Sequence, residues 1–208
     1  MKAINCTLVG DGTSDRFLQY PIKWLLIQKF PDRAININFA DLKPISKGNE
    51  KLAERICKAV DLFPCDVLFI HRDAEKESIE SRENEIRHAI DNAECELPVC
   101  IPVTPIKMSE AWILIDIESI RIASGNPNGK DVLKLPAIDK LEKIPDPKKD
   151  LIELIKKASG LNKRRLKGFN PRKAMHRLAE VIEDYSRLRR LDSFKKLEEG
   201  IDKIIENL

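Results

Sequence analysis

The side chains best suited to chemistry are carboxylates that follow two apolar runs. Asp11 sits in Leu8-Val9-Gly10-Asp11-Gly12-Thr13-Ser14-Asp15, just after the run 4–9. Asp73 and Glu75 sit in His71-Arg72-Asp73-Ala74-Glu75, just after the run 66–70. Residues two apart in an extended segment point to the same side, so Asp73 and Glu75 are expected to face one way. In a parallel sheet the end of the second run lies beside the end of the first, which brings Asp11 to the same place. Carboxylates that close repel one another, and a hard divalent cation with oxygen ligands is the ordinary way to hold them together. Such an ion polarises a phosphoryl oxygen and activates or orients a water. The plain alternatives are a capped strand-to-helix turn at 8–15 and a solvated acidic pair at 73 and 75. Two acidic strand ends in one chain are what favour a site.

The elements that must position these groups follow from hydrophobic spacing. The run 4–9 reads as a buried strand and 14–30 as a helix. Gly10 and Gly12 are expected to permit a tight turn and close backbone approach, Thr13 or Ser14 to cap the helix, and Asp15 to suit its positive end. The alternation at 35–39 predicts a half-exposed strand, 52–63 a helix ended by Pro64, and 66–70 a central parallel strand covered on both faces. A helix at 78–92 and a strand at 97–103, whose prolines favour a sheet edge, complete a β-α-β-α-β-α-β order. That order predicts an α/β sandwich with a mostly parallel four-stranded sheet, and places Asp11 beyond a strand's carboxyl end, where open α/β sheets bind ligands. The rear of the chain reads as helices at 109–123, 148–158, 171–188 and 192–207, broken by Gly125-Asn126-Pro127-Asn128-Gly129. The expected division is an α/β domain over 1–125 and a helical extension over 126–208 packed on it. Lys163, Arg164, Arg165 and Lys167 fall on an expected loop between helices, which makes them candidate phosphate contacts.

Composition bounds the rest. The 208 residues are 42% hydrophobic and 34% charged, which suits a folded chain with a charged surface. A net charge of +3 hides an asymmetry: from Lys148 onward 17 Lys and Arg stand against 10 Asp and Glu, and before it 20 against 24. An acidic front and a basic rear fit carboxylates for cations beside a flank for a polyanion, or simply a solvated helical tail. There is no apolar run near membrane-span length and no signal-peptide layout at the start, so a cytoplasmic protein without membrane attachment is expected. The five cysteines are an odd number among apolar neighbours, which predicts reduced buried thiols. Their spacing offers no zinc site. The glycines of the first loop lack the third of a dinucleotide-binding turn, and no Walker A lysine motif is present.

A strand ending in acid-Gly-x-[Ser/Thr]-acid, followed by a strand ending in Asp-x-acid, resembles the Toprim fold of topoisomerases, bacterial primases, recombination mediators and the overcoming-lysogenization-defect nucleases. The stretch Val9 to Leu18, the His71-Arg72-Asp73-Ala74-Glu75 segment, Pro102-Val103 with Glu110-Ala111-Trp112-Ile113-Leu114, and Asp146-Pro147-Lys148 together resemble an uncharacterised Toprim-like family of bacterial defence and mobile-element genes. The resemblance implies a Toprim-like Rossmannoid sandwich. It gives Asp11 a general acid/base or metal-bridging role, and Asp73 and Glu75 the part of ligands to Mg2+ or Mn2+. Two positions depart from the Toprim pattern: Asp11 stands where Glu is usual, and Glu75 where Asp is usual. Glu110 completes the metal site or is a helix-start carboxylate, and Asp15 is a helix-start residue or joins the cluster. Arg72 and Lys107 are expected to meet substrate phosphate, as is Lys148 if its loop folds back. His71 is a proton shuttle or a structural histidine, Trp112 is a core residue before it is a stacking platform, and His88 and His176 have no assigned role.

The function expected is a magnesium-dependent nuclease or phosphotransfer enzyme acting on nucleic acid, in the setting of phage defence. The alternative is a noncatalytic effector or nucleic-acid-binding subunit that works with a partner ATPase. Only Tyr20 and Tyr185 are available as tyrosine nucleophiles, which disfavours a topoisomerase, and the zinc module of a primase is missing.

Overall fold

The computed structural model describes residues 3–46 and 48–205. The apolar runs become β1 (Ile4–Val9), β2 (Ile35–Phe39), β3 (Val67–His71) and β4 (Val99–Val103). They form one sheet in the order β2-β1-β3-β4 with every neighbouring pair parallel. A parallel strand covered on both faces must be apolar on both, and all five residues of β3 are buried. β2, at one edge, keeps Asn36 and Asn38 exposed, and β4, at the other, tolerates Pro102 because an edge leaves one row of backbone groups unpaired.

Helices cover both faces. α1 (Gln19–Lys29) lies on one, and α2 (Leu52–Leu62) and α3 (Ile79–Asp91) on the other. Strand alternation sorts the side chains accordingly: Val9, Leu68 and Ile70 pack with Ile56 of α2 and Ile86 of α3, while Leu8, Phe69 and Val103 face the opposite way. The first face is finished by α4 (Ile117–Ala123), α5 (Pro147–Ala158), α7 (Pro171–Val181) and α8 (Asp192–Ile205), whose Ile120, Leu151, Leu178 and Phe194 enter the same cluster as Leu8. Each such side chain contributes about 1.5–3 kcal/mol by leaving water. Residues on both sides of position 125 therefore share one core. Among the described residues no helix is long and apolar enough to cross a membrane.

Several boundaries differ from the sequence expectation. The helix expected at 14–30 opens as a 3-10 turn, Thr13–Leu18, before α1. The one expected at 109–123 splits: Ser109–Ile113 is a 3-10 turn, buried throughout, and Asp116 caps a fresh helix by accepting from the Ser119 N–H. The Asp116 cap, which starts a new helix, is what separates the two elements. The helix expected at 171–188 stops at Val181, and Asp184 turns the chain by accepting from the Ser186 N–H before a further 3-10 turn, Ser186–Arg190. The expected loop at 162–168 holds a one-turn helix, α6 (Lys163–Leu166), started by Asn162. Residues 206 and 207 of the last expected helix lie outside the described residues. The cysteines are not all reduced: α2 and the segment after α3 lie close enough to pair Cys57 with Cys95, Cα to Cα 5.7 Å. Cys6, Cys65 and Cys100 remain thiols, and burial pushes Cys6 up to about 12 and Cys100 to about 11.

Candidate functional site

The chain reverses its direction of travel across the sheet between β1 and β3, so the carboxyl ends of these two strands flank a crevice. After β1, Asp15 folds back so that its Oδ2 accepts the Gly12 N–H at 2.9 Å and its Oδ1 the Ser14 hydroxyl at 3.1 Å. Gly12 has an extended backbone, φ −154°, and is the cap, so neither Thr13 nor Ser14 fills that place. It is Gly10 that must lack a side chain: a Cβ there would stand 2.8 Å from Asp15 Oδ2. The glycine thus serves close approach and not a left-handed turn.

At the end of β3, His71 is buried and its Nδ1–H donates to the Val103 carbonyl at 3.0 Å. That bond fixes the ring so that Nε2 looks at two carboxylates, Asp73 Oδ1 at 3.6 Å and Asp15 Oδ2 at 3.9 Å. Asp73 Oδ1 also accepts the Ser109 N–H at 2.7 Å, which ties the end of β3 to the 3-10 turn after β4. Glu110 follows on that turn, its side chain 3% exposed, with Lys148 Nζ from the start of α5 at 2.8 Å. Asp146 caps α5 and Pro147 fixes its first turn, which sets Lys148 over the crevice. Burial pushes the Asp73 carboxyl up to about 6, against the opposing pull of His71, with the Glu110 and Asp15 charges raising it further. Asp15, His71, Asp73 and Glu110 are one electrostatic unit.

Asp11 and Glu75 point elsewhere. Asp11 accepts from Arg55 of α2 at 3.1 Å and faces Arg72 Nε at 3.2 Å, while Arg55 also donates to the Gly10 carbonyl. Arg72 continues to Glu85 at 3.2 Å, Glu85 to Arg82 at 2.7 Å, and Arg82 to Glu75 at 3.6 Å. This ladder of alternating charge runs along α2 and α3. The expectation that Asp73 and Glu75 face the same way fails because Glu75 adopts φ 52°, which turns its side chain outward to 63% exposure. Its N–H donates to the carbonyl of Lys107, itself at φ 63°, so two left-handed residues meet across the loops. Arg72 is engaged with acids of the protein and not left open for phosphate. Lys163, Arg164, Arg165 and Lys167 are exposed on and after α6, away from the crevice lining. Trp112 is core: its Nε1–H donates to the Ser193 hydroxyl at 3.1 Å and its ring meets Phe194 edge-on.

Beside the cluster opens a cleft of about 630 Å³ between the loops after β1 and β2, Arg55 of α2, and the starts of α5 and α7. Lys148 borders both cleft and cluster. Lys43, Arg55, Arg172 and Lys173 also line it, and Phe39, Leu42 and Met175 supply apolar floor. Sequence reasoning missed all of these cations except Lys148.

The residues suit a hard cation in donor chemistry but not in the set expected. Asp11, Asp73 and Glu75 do not converge, and among the described residues no group of three or more His, Cys, Asp or Glu side chains is arranged to hold a metal ion. Asp73, half-buried, and Glu110, buried, with Asp15 behind them, are crowded carboxylates, the condition that a cation relieves. Magnesium is commonly held by one or two carboxylates and completed by substrate phosphate, which a pair can satisfy. No protein-family model, curated protein or solved structure matches the chain.

Proposed function

We propose that this chain is a divalent-metal-dependent nuclease or phosphotransfer enzyme acting on nucleic acid, on a Toprim-like sheet. The observation that carries the reading is the Asp15–His71–Asp73–Glu110 unit, set at the strand ends where the sheet reverses and opening on a cationic cleft. Asp73 and Glu110 are the residues that would hold Mg2+ or Mn2+, with Asp15 and His71 behind them. The ion would supply Lewis-acid polarisation of a phosphoryl oxygen. His71 Nε2 sits beside Asp73 and Asp15, while the Ser109 N–H on Asp73 Oδ1 leaves the other oxygen to take a ligand. Lys43, Arg172 and Lys173, the cleft cations that make no ion pair among the described residues, neutralise the phosphate backbone. Asp11, where the resemblance puts the general acid/base, belongs to the neighbouring charge ladder.

The test is cleavage of DNA and RNA by the purified chain with each metal, against Asp73→Ala and Glu110→Gln. Cutting that vanishes in both variants supports the reading, and no cutting of either substrate with either metal ends it. A second reading, a noncatalytic effector working with a partner ATPase, is favoured by one observation: Asp11 is held between Arg55 and Arg72. Metal-dependent cleavage by the isolated chain would dismiss it.

A further inference from the structure

The cleft next to the carboxylates has the size of a small-ligand site, and at about 630 Å³ it suits about one nucleotide unit better than a length of duplex. Its charge is unbalanced. Arg55 is engaged with Asp11, Lys148 with Glu110, and the lining carboxylate Asp41 with Arg16. Lys43, Arg172 and Lys173 make no ion pair among the described residues. Two of these cations stand in the first turn of α7, the end of a helix where the dipole disfavours positive charge. The backbone there is already satisfied, since Asn170 Oδ1 accepts the Arg172 and Lys173 N–H groups at 3.1 and 3.3 Å. Side chains, and not a bare helix end, therefore make the site.

We propose that this cleft seats the phosphomonoester of a nucleotide, with Lys43, Arg172 and Lys173 on the phosphate and the Phe39, Leu42 and Met175 floor beneath sugar and base. A phosphodiester carries one negative charge, whereas a monoester approaches two at neutral pH and matches several uncompensated cations better. Resting on the nuclease reading, the inference makes the substrate a phosphorylated nucleic-acid end, delivered to Asp73 and Glu110 across Lys148.

The experiment measures binding, in chelator, of one single-stranded oligonucleotide bearing a 5′-phosphate, a 3′-phosphate or hydroxyls at both ends, with adenosine monophosphate as a fourth ligand. The proteins are wild type, Arg172→Ala/Lys173→Ala, and Lys156→Ala/Lys157→Ala, which removes the same charge from exposed α5 positions outside the cleft. One phosphorylated end should bind at least about tenfold tighter than the hydroxyl form, with the preference lost in the cleft variant and kept in the α5 variant. Equal affinity for all ends, no binding of any ligand, or a preference that survives Arg172→Ala/Lys173→Ala overturns the inference. If the chain still cuts nucleic acid internally in those cases, the nuclease reading stands without it. Binding of the mononucleotide alone, lost in the cleft variant, keeps the phosphomonoester site and removes the nucleic-acid substrate.

Discussion

Lys148 Nζ and Glu110 Oε1 meet at 2.8 Å across the crevice, so a cation from the start of α5 holds the most buried acid of the cluster in place. Removing the lysine strands a carboxylate that is only 3% exposed. Lys148→Ala should therefore cost about 2 kcal/mol, less than the 3–5 of a fully buried pair because the lysine is partly in water. Lys148→Met with Glu110→Gln should lose less than Lys148→Ala alone. Urea unfolding of the three proteins decides it, and a double variant weaker than the single would contradict the pairing.

Asp73 predicts an unusual pH response. Its folded pKa, about 6, lies above the ordinary 3.8, so the native state binds the proton more tightly than the unfolded chain. This contribution is present below about pH 4 and disappears as pH rises to 6, at most about 3 kcal/mol. Asp73→Asn keeps an oxygen for the Ser109 N–H and removes the titration. In chelator, the variant should lose less stability than wild type between pH 4 and 7.5. Parallel pH profiles would refute the assignment.

The two glycines after β1 should behave differently. Gly10→Ala forces a Cβ to within 2.8 Å of Asp15 Oδ2, whereas at Gly12 the nearest atom is Ser14 Oγ at 3.7 Å. Gly10→Ala should destabilise by about 1–3 kcal/mol and Gly12→Ala by far less. Thermal melts of both variants would show it, and equal losses would count against the Asp15 fold-back.

Metal dependence should follow the placement of the acids and not their order in the chain. Glu110→Gln should abolish Mn2+ binding, read by isothermal titration, while Glu75→Ala should leave it within about twofold. The reverse pattern would restore the Asp11, Asp73 and Glu75 set.

The bond between Cys57 and Cys95 closes a 38-residue separation and should add about 2–4 kcal/mol. Cys57→Ser should lower the unfolding free energy measured in urea by that amount under oxidising conditions and leave it unchanged in reductant.

The sheet was legible because β3 is apolar on both faces and β2 alternates, each pattern having one structural meaning. Asp73 was legible for the same reason, standing two residues beyond an unmistakable strand end. Glu75 was not, because its alternation assumes an extended backbone and a left-handed residue breaks it. Asp15 and Glu110 carried two readings each, and the structure makes them compatible: a carboxylate in the first turn of a helix or 3-10 turn also faces the cluster. The cleft cations escaped because they depend on where α5 and α7 dock. A local signal did exist in Asn170-Pro171-Arg172-Lys173, since positive charge opening a helix opposes its dipole and calls for another purpose.

Synthesis runs from the amino end, and the shared core gives that order a consequence. Every acid of the cluster has been made by residue 110, but Lys148, Arg172 and Lys173 come later, and α8 closes over β4 last. A growing chain on the ribosome holds the carboxylates without their cationic wall and with one sheet face uncovered. Until those later residues emerge and dock, a chain that cuts nucleic acid would hold its acids without the cations that meet phosphate.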